Sequence, residues 1–231
     1  MREPIMGRMR LQWWRDSIDG IYTGSVRRHA VVEPLARAIA RHRLPRAALD
    51  RLIDARETDM SDEPPAHLAA LVAYAEATAS SLIELALAIV GEGDTAQAKA
   101  AARLIGVAWS LVGLLRAVPF HARGQRLYLP LSLLDEAGVA PRQLFDLQPP
   151  AALAKVVAVV ADEAAHQLAE GRAAARGLPR RLLPALLPAV LAGPYLQRLQ
   201  AASYDPFDPR VQEAPPGRIW RLALAMLRAR L

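Results

Sequence analysis

Three carboxylates near the end of one predicted helix are the first residues whose types and spacing suit chemistry. Asp54, Glu57 and Asp59 lie in the segment DARETD. Asp54 and Glu57 share a helix face, whereas Asp59 points well away from both. Three acids alone do not define a metal site, and we assign none. Asp54 and Glu57 therefore form either the polar wall of a ligand cavity or a solvated face paired with Arg51 and Arg56.

A run of polar side chains interrupts an otherwise apolar predicted helix. Tyr74, Glu76 and Thr78 are followed by Ser80 and Ser81 in the sequence YAEATASSL. Leaving such groups unpaired in a core costs roughly 1–3 kcal/mol each, so they need partners. They either line a cavity or donate to carbonyl groups of their own helix. Tyr74, Glu76 and Thr78 are therefore candidates for ligand binding.

Arginines and a histidine occur together in the segment LLRAVPFHARGQRLYLP at residues 114–130. Arg116, Arg123 and Arg126 are suited to clamp an anionic head group, because a guanidinium group binds phosphate or carboxylate oxygens in pairs. His121 lies between them and is either an anion contact or a solvent-exposed loop residue. Tyr128 completes the candidate ligand-binding residues of this segment.

The amino-acid composition excludes several classes of function. The 231 residues contain no cysteine, so thiol nucleophiles, thiolate zinc sites and disulfide frameworks are ruled out. The net charge is +6, and of the 29 basic residues only Lys99 and Lys155 are lysines. This charge favours an acidic partner such as a diphosphate or an anionic lipid surface. We expect no nucleic-acid partner, because the sequence shows no helix-turn-helix, aromatic platform or basic stripe.

Apolar residues recur at helical spacing along the whole chain, as at Leu104, Ala108, Leu111 and Leu115. No strand pattern competes, so the sequence predicts one all-α domain over residues 1–231. The predicted helices span residues 4–22, 33–43, 45–60, 65–90, 94–118, 130–137, 141–147, 150–176, 179–203 and 218–229.

The predicted helices at 65–90 and 94–118 are apolar around most of their circumference, which places both in the centre of a bundle. The longest apolar windows, 104–115 and 182–196, are shorter than the roughly 20 residues that a membrane span needs. We therefore expect core helices rather than spans. Residues 119–130 are predicted to be a non-helical connection. The opening of the chain lacks a signal-peptide pattern, so we expect a cytoplasmic protein.

Three segments together resemble the squalene/phytoene synthase family, namely MRLQWWRDSIDGIY at 9–22, LIDARETDM at 52–60 and LLRAVPFHARGQRLYLP at 114–130. Their order and separations fit the family, as does the later helix at 162–179, and the resemblance covers essentially the whole chain. It implies an isoprenoid synthase-like helical bundle around a central apolar cavity. It also implies that the family's N-terminal helices, including the first aspartate-rich one, would lie before Met1.

The resemblance implies magnesium chemistry only where two aspartate-rich helices face each other, because Mg²⁺ bridges carboxylates and substrate diphosphates. In the second of these motifs, Ala117, Phe120 and His121 stand where the family has acids. Arg116 and Tyr128 preserve the rest of the pattern. We therefore expect no catalytic residue, no bound metal and no cofactor, with magnesium required only if the chain is an active prenyl transferase.

Within the family, the chain resembles the non-catalytic subgroup that contains the mitochondrial assembly factor for respiratory complex I. The resemblance lies in the RLQWW opening, the YAE-T-SSL helix and the acid-free segment before tyrosine, leucine and proline. It implies a helper that binds a protein partner in respiratory complex assembly, with peripheral contact at the inner face of the inner membrane. The alternatives are a head-to-head prenyl transferase and a binding module for an isoprenoid or quinone lipid.

Overall fold

The protein is all-helical. The computed structural model describes residues 4–91 and 94–231, and all regular secondary structure in these two ranges is helical, which confirms the predicted fold class. In chain order the elements are α1 (Pro4–Thr23), α2 (Val32–His42), α3 (Arg46–Thr58), α4 (Leu68–Ala75), a π-helical segment (Glu76–Ser80), α5 (Ser81–Val90), α6 (Ala96–Arg116), α7 (Val118–Arg123), α8 (Leu131–Glu136), α9 (Pro141–Phe145), α10 (Leu153–Ala174), a 3-10 turn (Arg180–Leu182), α11 (Leu183–Leu186), α12 (Pro188–Ala201), α13 (Pro209–Gln212) and α14 (Arg218–Arg228).

The centre of the bundle is α6, as its apolar circumference predicts. Its side chains at Ile105, Leu111 and Leu115 are buried, and α10 packs along it. The helices α5 and α12 and the π-helical segment cover its other sides. The prediction that the 65–90 helix is equally central is wrong for α5, because Leu82 and Ile89 point outward and are exposed.

Two glycines allow the central helices to approach closely. A Cβ atom built on Gly106 would lie 2.5 Å from the backbone Cα of Ser80 in the π-helical segment. A Cβ atom on Gly171 of α10 would lie 2.8 Å from Cγ1 of Ile105. Both distances are shorter than packed carbon atoms tolerate, so only glycine fits where α6 meets its two neighbours.

The segments at 119–130 and 179–203 differ from the sequence prediction, and α13 forms where no helix is predicted. The connection predicted for residues 119–130 begins with α7, because Pro119 occupies an early helical position where its missing amide hydrogen costs nothing. The helix predicted over 179–203 is divided into the 3-10 turn, α11 and α12, with a bend of 41° between Arg180–Leu186 and Pro188–Ala201. Pro188 begins the second part, where proline is again tolerated.

Two helical stretches are long and apolar enough to cross a membrane. The sequence predicts none when only uninterrupted apolar windows are counted. They are Leu68–Val90, with 23 residues, and Ala96–Arg116, with 21 residues. The bent pair Arg180–Leu186 and Pro188–Ala201 would add a third if it counted as one span. The fold buries 39% of the most apolar window in Leu68–Val90 and 56% of that in Ala96–Arg116.

Candidate functional site

Asp59 is the centre of a hydrogen-bonded cluster. Tyr128 donates its hydroxyl to Oδ1 of Asp59 over 2.7 Å, and Tyr74 donates to the same oxygen over 3.0 Å. Arg56 donates to the other carboxylate oxygen, Oδ2, over 2.9 Å, and to the Tyr74 hydroxyl oxygen over 3.1 Å. The Asp59 side chain is only 14% exposed. Both of its oxygens are therefore occupied by protein donors.

Three separate parts of the chain meet at this cluster. Asp59 follows the last residue of α3, where the helix ends and the chain turns. Tyr74 is in the last turn of α4, and Tyr128 lies in the loop between α7 and α8. The amide groups of Leu131 and Ser132 at the start of α8 donate to the carbonyl groups of Pro65 and Ala66, over 2.8 and 3.0 Å. The cluster thus fastens the end of α3 to α4 and α8.

Arg126 closes the cluster from the other side. Its Nη2 atom donates to the backbone carbonyl groups of Asp59 and Ser61, the latter over 2.7 Å, and its Nε atom lies 4.0 Å from Oδ1 of Asp62. A guanidinium group that satisfies two carbonyls after a helix end replaces hydrogen bonds that the helix can no longer make. In this position Arg126 stabilises the turn after α3 rather than a bound anion.

The tyrosines act as hydrogen-bond donors at neutral pH. Burial, followed by the nearby charge of Asp59, raises the pKa of Tyr74 above its ordinary value. Burial, followed by the hydrogen bond to Asp59, also raises the pKa of Tyr128. Because both phenols stay protonated and both donate to a carboxylate, neither is available as a general base or nucleophile.

His121 packs against this cluster in α7. Its ring centroid lies 4.7 Å from that of Tyr128 and 5.8 Å from that of Phe120, and its buried Nδ1 atom has no hydrogen-bond partner. Burial and, secondarily, the charge of Arg126 lower the pKa of His121. The histidine is therefore a partly buried neutral ring rather than the exposed loop residue that the sequence left as an alternative.

We predict that His121 makes the protein less stable in mild acid. Its pKa is lower in the folded protein than in the unfolded chain, so the unfolded chain binds the proton more tightly and stability falls as the pH drops through about 6.5. The His121→Phe variant keeps a ring against Tyr128 and should lose less thermal stability than the wild type between pH 7 and pH 5. His166→Gln, a change at an exposed position of α10, is the control and should leave that loss unchanged. Equal losses in the wild type and His121→Phe would contradict this prediction.

A pocket of about 380 Å³ opens beside the cluster. The loop of residues 61–66 forms one side, and Ala70, Tyr74, Arg126 and Tyr128 contribute to the other walls. No residue of α6 or α10 lines it, and the side chains of those two helices pack against each other. The pocket therefore lies to the side of the central helices and not between them.

Asp54 and Glu57 lie outside the cluster and pair with α1. The Nη2 atom of Arg15 is 2.8 Å from Oδ1 of Asp54 and 2.9 Å from Oε1 of Glu57. Both carboxylates are more than half exposed. The solvated-face interpretation therefore describes them, although their partner is Arg15 rather than Arg51 or Arg56.

Glu76 and Thr78 belong to the π-helical segment and line no part of the pocket. Glu76 pairs with Arg103 over 3.5 Å at the surface. Thr78 is buried and donates to the carbonyl of Tyr74 over 2.8 Å. This is the predicted alternative in which the hydroxyl bonds to a carbonyl of its own helix. Ser80 instead donates to the carbonyl of Arg103 on α6 over 2.7 Å. The polar residues of the π-helical segment thus fasten the widened helix to α6. Of the polar run predicted from the sequence, Tyr74 alone lines this pocket.

The three arginines expected to clamp an anion do not converge. Arg116 lies over the ring of Tyr195 at 3.8 Å and donates to the carbonyl groups of Val211 and Gln212, over 3.2 and 3.1 Å. Arg123 is exposed at the end of α7. Arg116 therefore anchors α13 through its Nε and Nη2 atoms.

The side chains of this chain do not fit the magnesium and diphosphate cluster that the family resemblance implies. The Asp54 and Glu57 carboxylates both bind Arg15, and Asp59 is saturated by protein donors. The second motif position contributes Phe120, which is exposed, and His121, which is stacked on Tyr128. Across the two described ranges, no three or more histidine, aspartate or glutamate side chains are grouped so that they could hold a metal ion.

Asp59 is the residue that sequence reasoning missed. Its position after a helix end and its angular offset from Asp54 suggested a side chain pointing away from any site. The available signal was the pair of tyrosines at 74 and 128, because a buried phenol usually has a hydrogen-bond partner. A carboxylate is a natural acceptor for such a phenol, and Asp59 lies in the segment 52–60 that resembles the family. Only the tertiary structure shows that Asp59 accepts from both tyrosines.

A profile of the squalene/phytoene synthase family matches residues 1–225. Among curated proteins, the chain is 34% identical over 210 residues to the bovine (Bos taurus) protein named NADH dehydrogenase (ubiquinone) complex I, assembly factor 6, and 30% identical over 211 residues to its human (Homo sapiens) counterpart. Each alignment covers 91% of this chain and 63% of the relative, so the chain spans less than two thirds of these proteins.

Solved structures of the same family share the fold. A squalene synthase from Alicyclobacillus acidocaldarius superposes with a TM-score of 0.77 at 21% identity, covering 85% of this chain and 74% of that one. A dehydrosqualene synthase superposes with a TM-score of 0.81 at 19% identity, covering 95% of this chain and 77% of that one. The profile match, the curated relatives and the shared isoprenoid synthase-like bundle agree, and the chain belongs to the squalene/phytoene synthase family.

Proposed function

We propose that this chain is a non-catalytic member of its family and acts by binding, as an assembly helper for respiratory complex I. One observation carries the proposal. In the segment where active relatives have acids, this chain places Ala117, Phe120 and His121, and its Tyr128 and Arg126 donate hydrogen bonds to Asp59. The names of the curated relatives support the role in complex I assembly.

The partner in this proposal is a protein of the assembling complex, and the location is the cytoplasmic face of an energy-transducing inner membrane, with peripheral contact. A binding role suits a site whose polar groups form hydrogen bonds with one another, because a fully hydrogen-bonded cluster makes the surrounding structure rigid. For the lipid-binding alternative, we propose the pocket beside Asp59 as the ligand site. An isoprenoid or quinone there would add a ligand to the helper without changing its role.

The test is genetic. Deleting the gene should lower both rotenone-sensitive NADH oxidation and the amount of assembled complex I, because the helper is needed before the enzyme is complete. Expression of the wild-type chain or of Asp54→Ala, a change at an exposed carboxylate, should restore both measurements. Unchanged oxidation and unchanged complex I in the deletion strain would remove the proposal.

A biochemical control separates the helper from a prenyl transferase. The purified chain is incubated with farnesyl or geranylgeranyl diphosphate and magnesium, and the lipid extract is analysed for squalene and phytoene. Neither should form, because the side chains described above do not fit the metal cluster. Formation of either product would overturn the non-catalytic part of the proposal, whatever the deletion strain shows.

A further inference from the structure

The last helix, α14, turns large apolar side chains toward solvent. Ile219, Trp220, Leu224 and Leu227 are 71%, 79%, 43% and 72% exposed. At about 100° per residue, these four side chains occupy about 140° of the helix circumference. A surface helix normally buries such a stripe against the core, but in α14 only Ala225 is buried. The apolar face of α14 is therefore uncovered within the described fold.

The positive charge around this face indicates what covers it. Residues 214–231 contain four arginines, at 218, 221, 228 and 230, and no lysine, aspartate or glutamate. Arg221 and Arg228 border the apolar face beside Leu224 on the helical wheel. Exposed apolar and aromatic side chains bordered by arginines are typical of helices that lie in a membrane interface.

A neighbouring arginine adds to this charge and holds the helix in place. The Nη2 atom of Arg180 donates to the carbonyl groups of Met226 and Leu227, over 2.7 and 3.3 Å, at the end of α14. These carbonyls have no partner within the helix, and a cation there also suits the helix dipole. Helix α14 packs on α12 with its opposite face, so its apolar face is held outward.

We propose that α14 binds the surface of a bilayer containing anionic lipids. Ile219, Trp220, Leu224 and Leu227 enter the boundary between head groups and acyl chains, and the flanking arginines contact lipid phosphates. This inference deepens the peripheral membrane contact of the proposed function and rests on it for its biological setting.

Vesicle flotation tests the inference with the purified chain. Binding to vesicles of phosphatidylcholine and phosphatidylglycerol should exceed binding to phosphatidylcholine alone by more than about tenfold at low salt, because several arginines act together. Added salt should reduce this preference, since it screens the arginines. Equal binding to both kinds of vesicle, or no binding to either, would overturn the proposal.

Matched variants assign the binding to α14. The double change Trp220→Gln and Leu227→Gln should weaken vesicle binding by more than about tenfold, because two large side chains no longer leave water. The double change Leu82→Gln and Ile89→Gln removes comparable exposed apolar groups from α5, which has no arginine, and should leave binding unchanged. Equal losses in both variants would contradict the assignment.

A second measurement needs no destabilising variant. Brominated lipids should quench part of the tryptophan fluorescence of the vesicle-bound wild type, and Trp220→Phe should lose that quenched part. If a second copy of the chain covers α14 instead, light scattering without lipid will show a dimer that Trp220→Gln with Leu227→Gln disrupts, and no quenching will occur. That result would overturn the inference and leave the complex I proposal to its own deletion test.

Discussion

Replacing Asp59 with alanine should lower the free energy of unfolding by about 3 kcal/mol, measured by urea denaturation. The change removes the acceptor shared by Tyr74 and Tyr128 and the anionic partner of Arg56. Each polar group left without a partner in a partly buried site costs about 1–3 kcal/mol. Since the Asp59 side chain is only 14% exposed, water cannot fully replace the lost carboxylate.

The control is Asp54→Ala, at the exposed acid that pairs with Arg15 on α1. That change should cost less than about 1 kcal/mol, because exposed ion pairs contribute little. Tyr128→Phe should cost about 1 kcal/mol, because it removes one donor and leaves Tyr74 and Arg56 on Asp59. If Asp59→Ala costs no more than Asp54→Ala, the cluster does not stabilise the fold.

The second large effect is expected at Gly106. In Gly106→Ala the new Cβ atom would lie 2.5 Å from the Cα atom and 2.6 Å from the amide nitrogen of Ser80, which are backbone atoms and cannot rotate away. The helices must separate, and overpacking of this kind costs about 1–3 kcal/mol. Alanine recovers up to about 1 kcal/mol through its helix propensity, so the net loss should be about 2 kcal/mol by thermal or chemical unfolding.

Gly113 provides the matched control on the same helix. It lies on an exposed part of α6, and a Cβ atom there would meet nothing within 4 Å. Gly113→Ala should therefore stabilise the protein by up to about 1 kcal/mol, because only the helix propensity changes. Destabilisation by both changes to the same extent would show that close approach to Ser80 is not the cause at Gly106.

The Asp59 cluster and helix α14 differ in how far the rest of the fold covers them. The Asp59 cluster joins a carboxylate to the protein's own tyrosines and arginine. Helix α14 lies elsewhere in the chain and keeps its apolar face uncovered. In the proposed binding function, the Asp59 cluster stabilises the fold and helix α14 provides a contact surface.

Local pattern was sufficient for the fold class and for the central helix. Helical periodicity is set by residues three and four apart, so the all-α class and the buried position of α6 follow from the sequence. The same pattern overestimated the burial of α5, because an apolar circumference does not reveal which side of a helix a neighbour covers. The sequence also predicts a non-helical connection from Pro119 onward. In the structure Pro119 lies in the first turn of α7, where proline is tolerated.

The sequence by itself determined that the chain is helical, that it resembles the squalene/phytoene synthase family and that the second motif lacks its acids. Only the tertiary structure decided which groups meet. Tyr128 reaches Asp59 across 69 positions of the chain, and Arg116 reaches Val211 across 95. The physical reason is that a helix pattern is local, whereas a hydrogen bond between distant residues depends on the angles and distances at which helices pack.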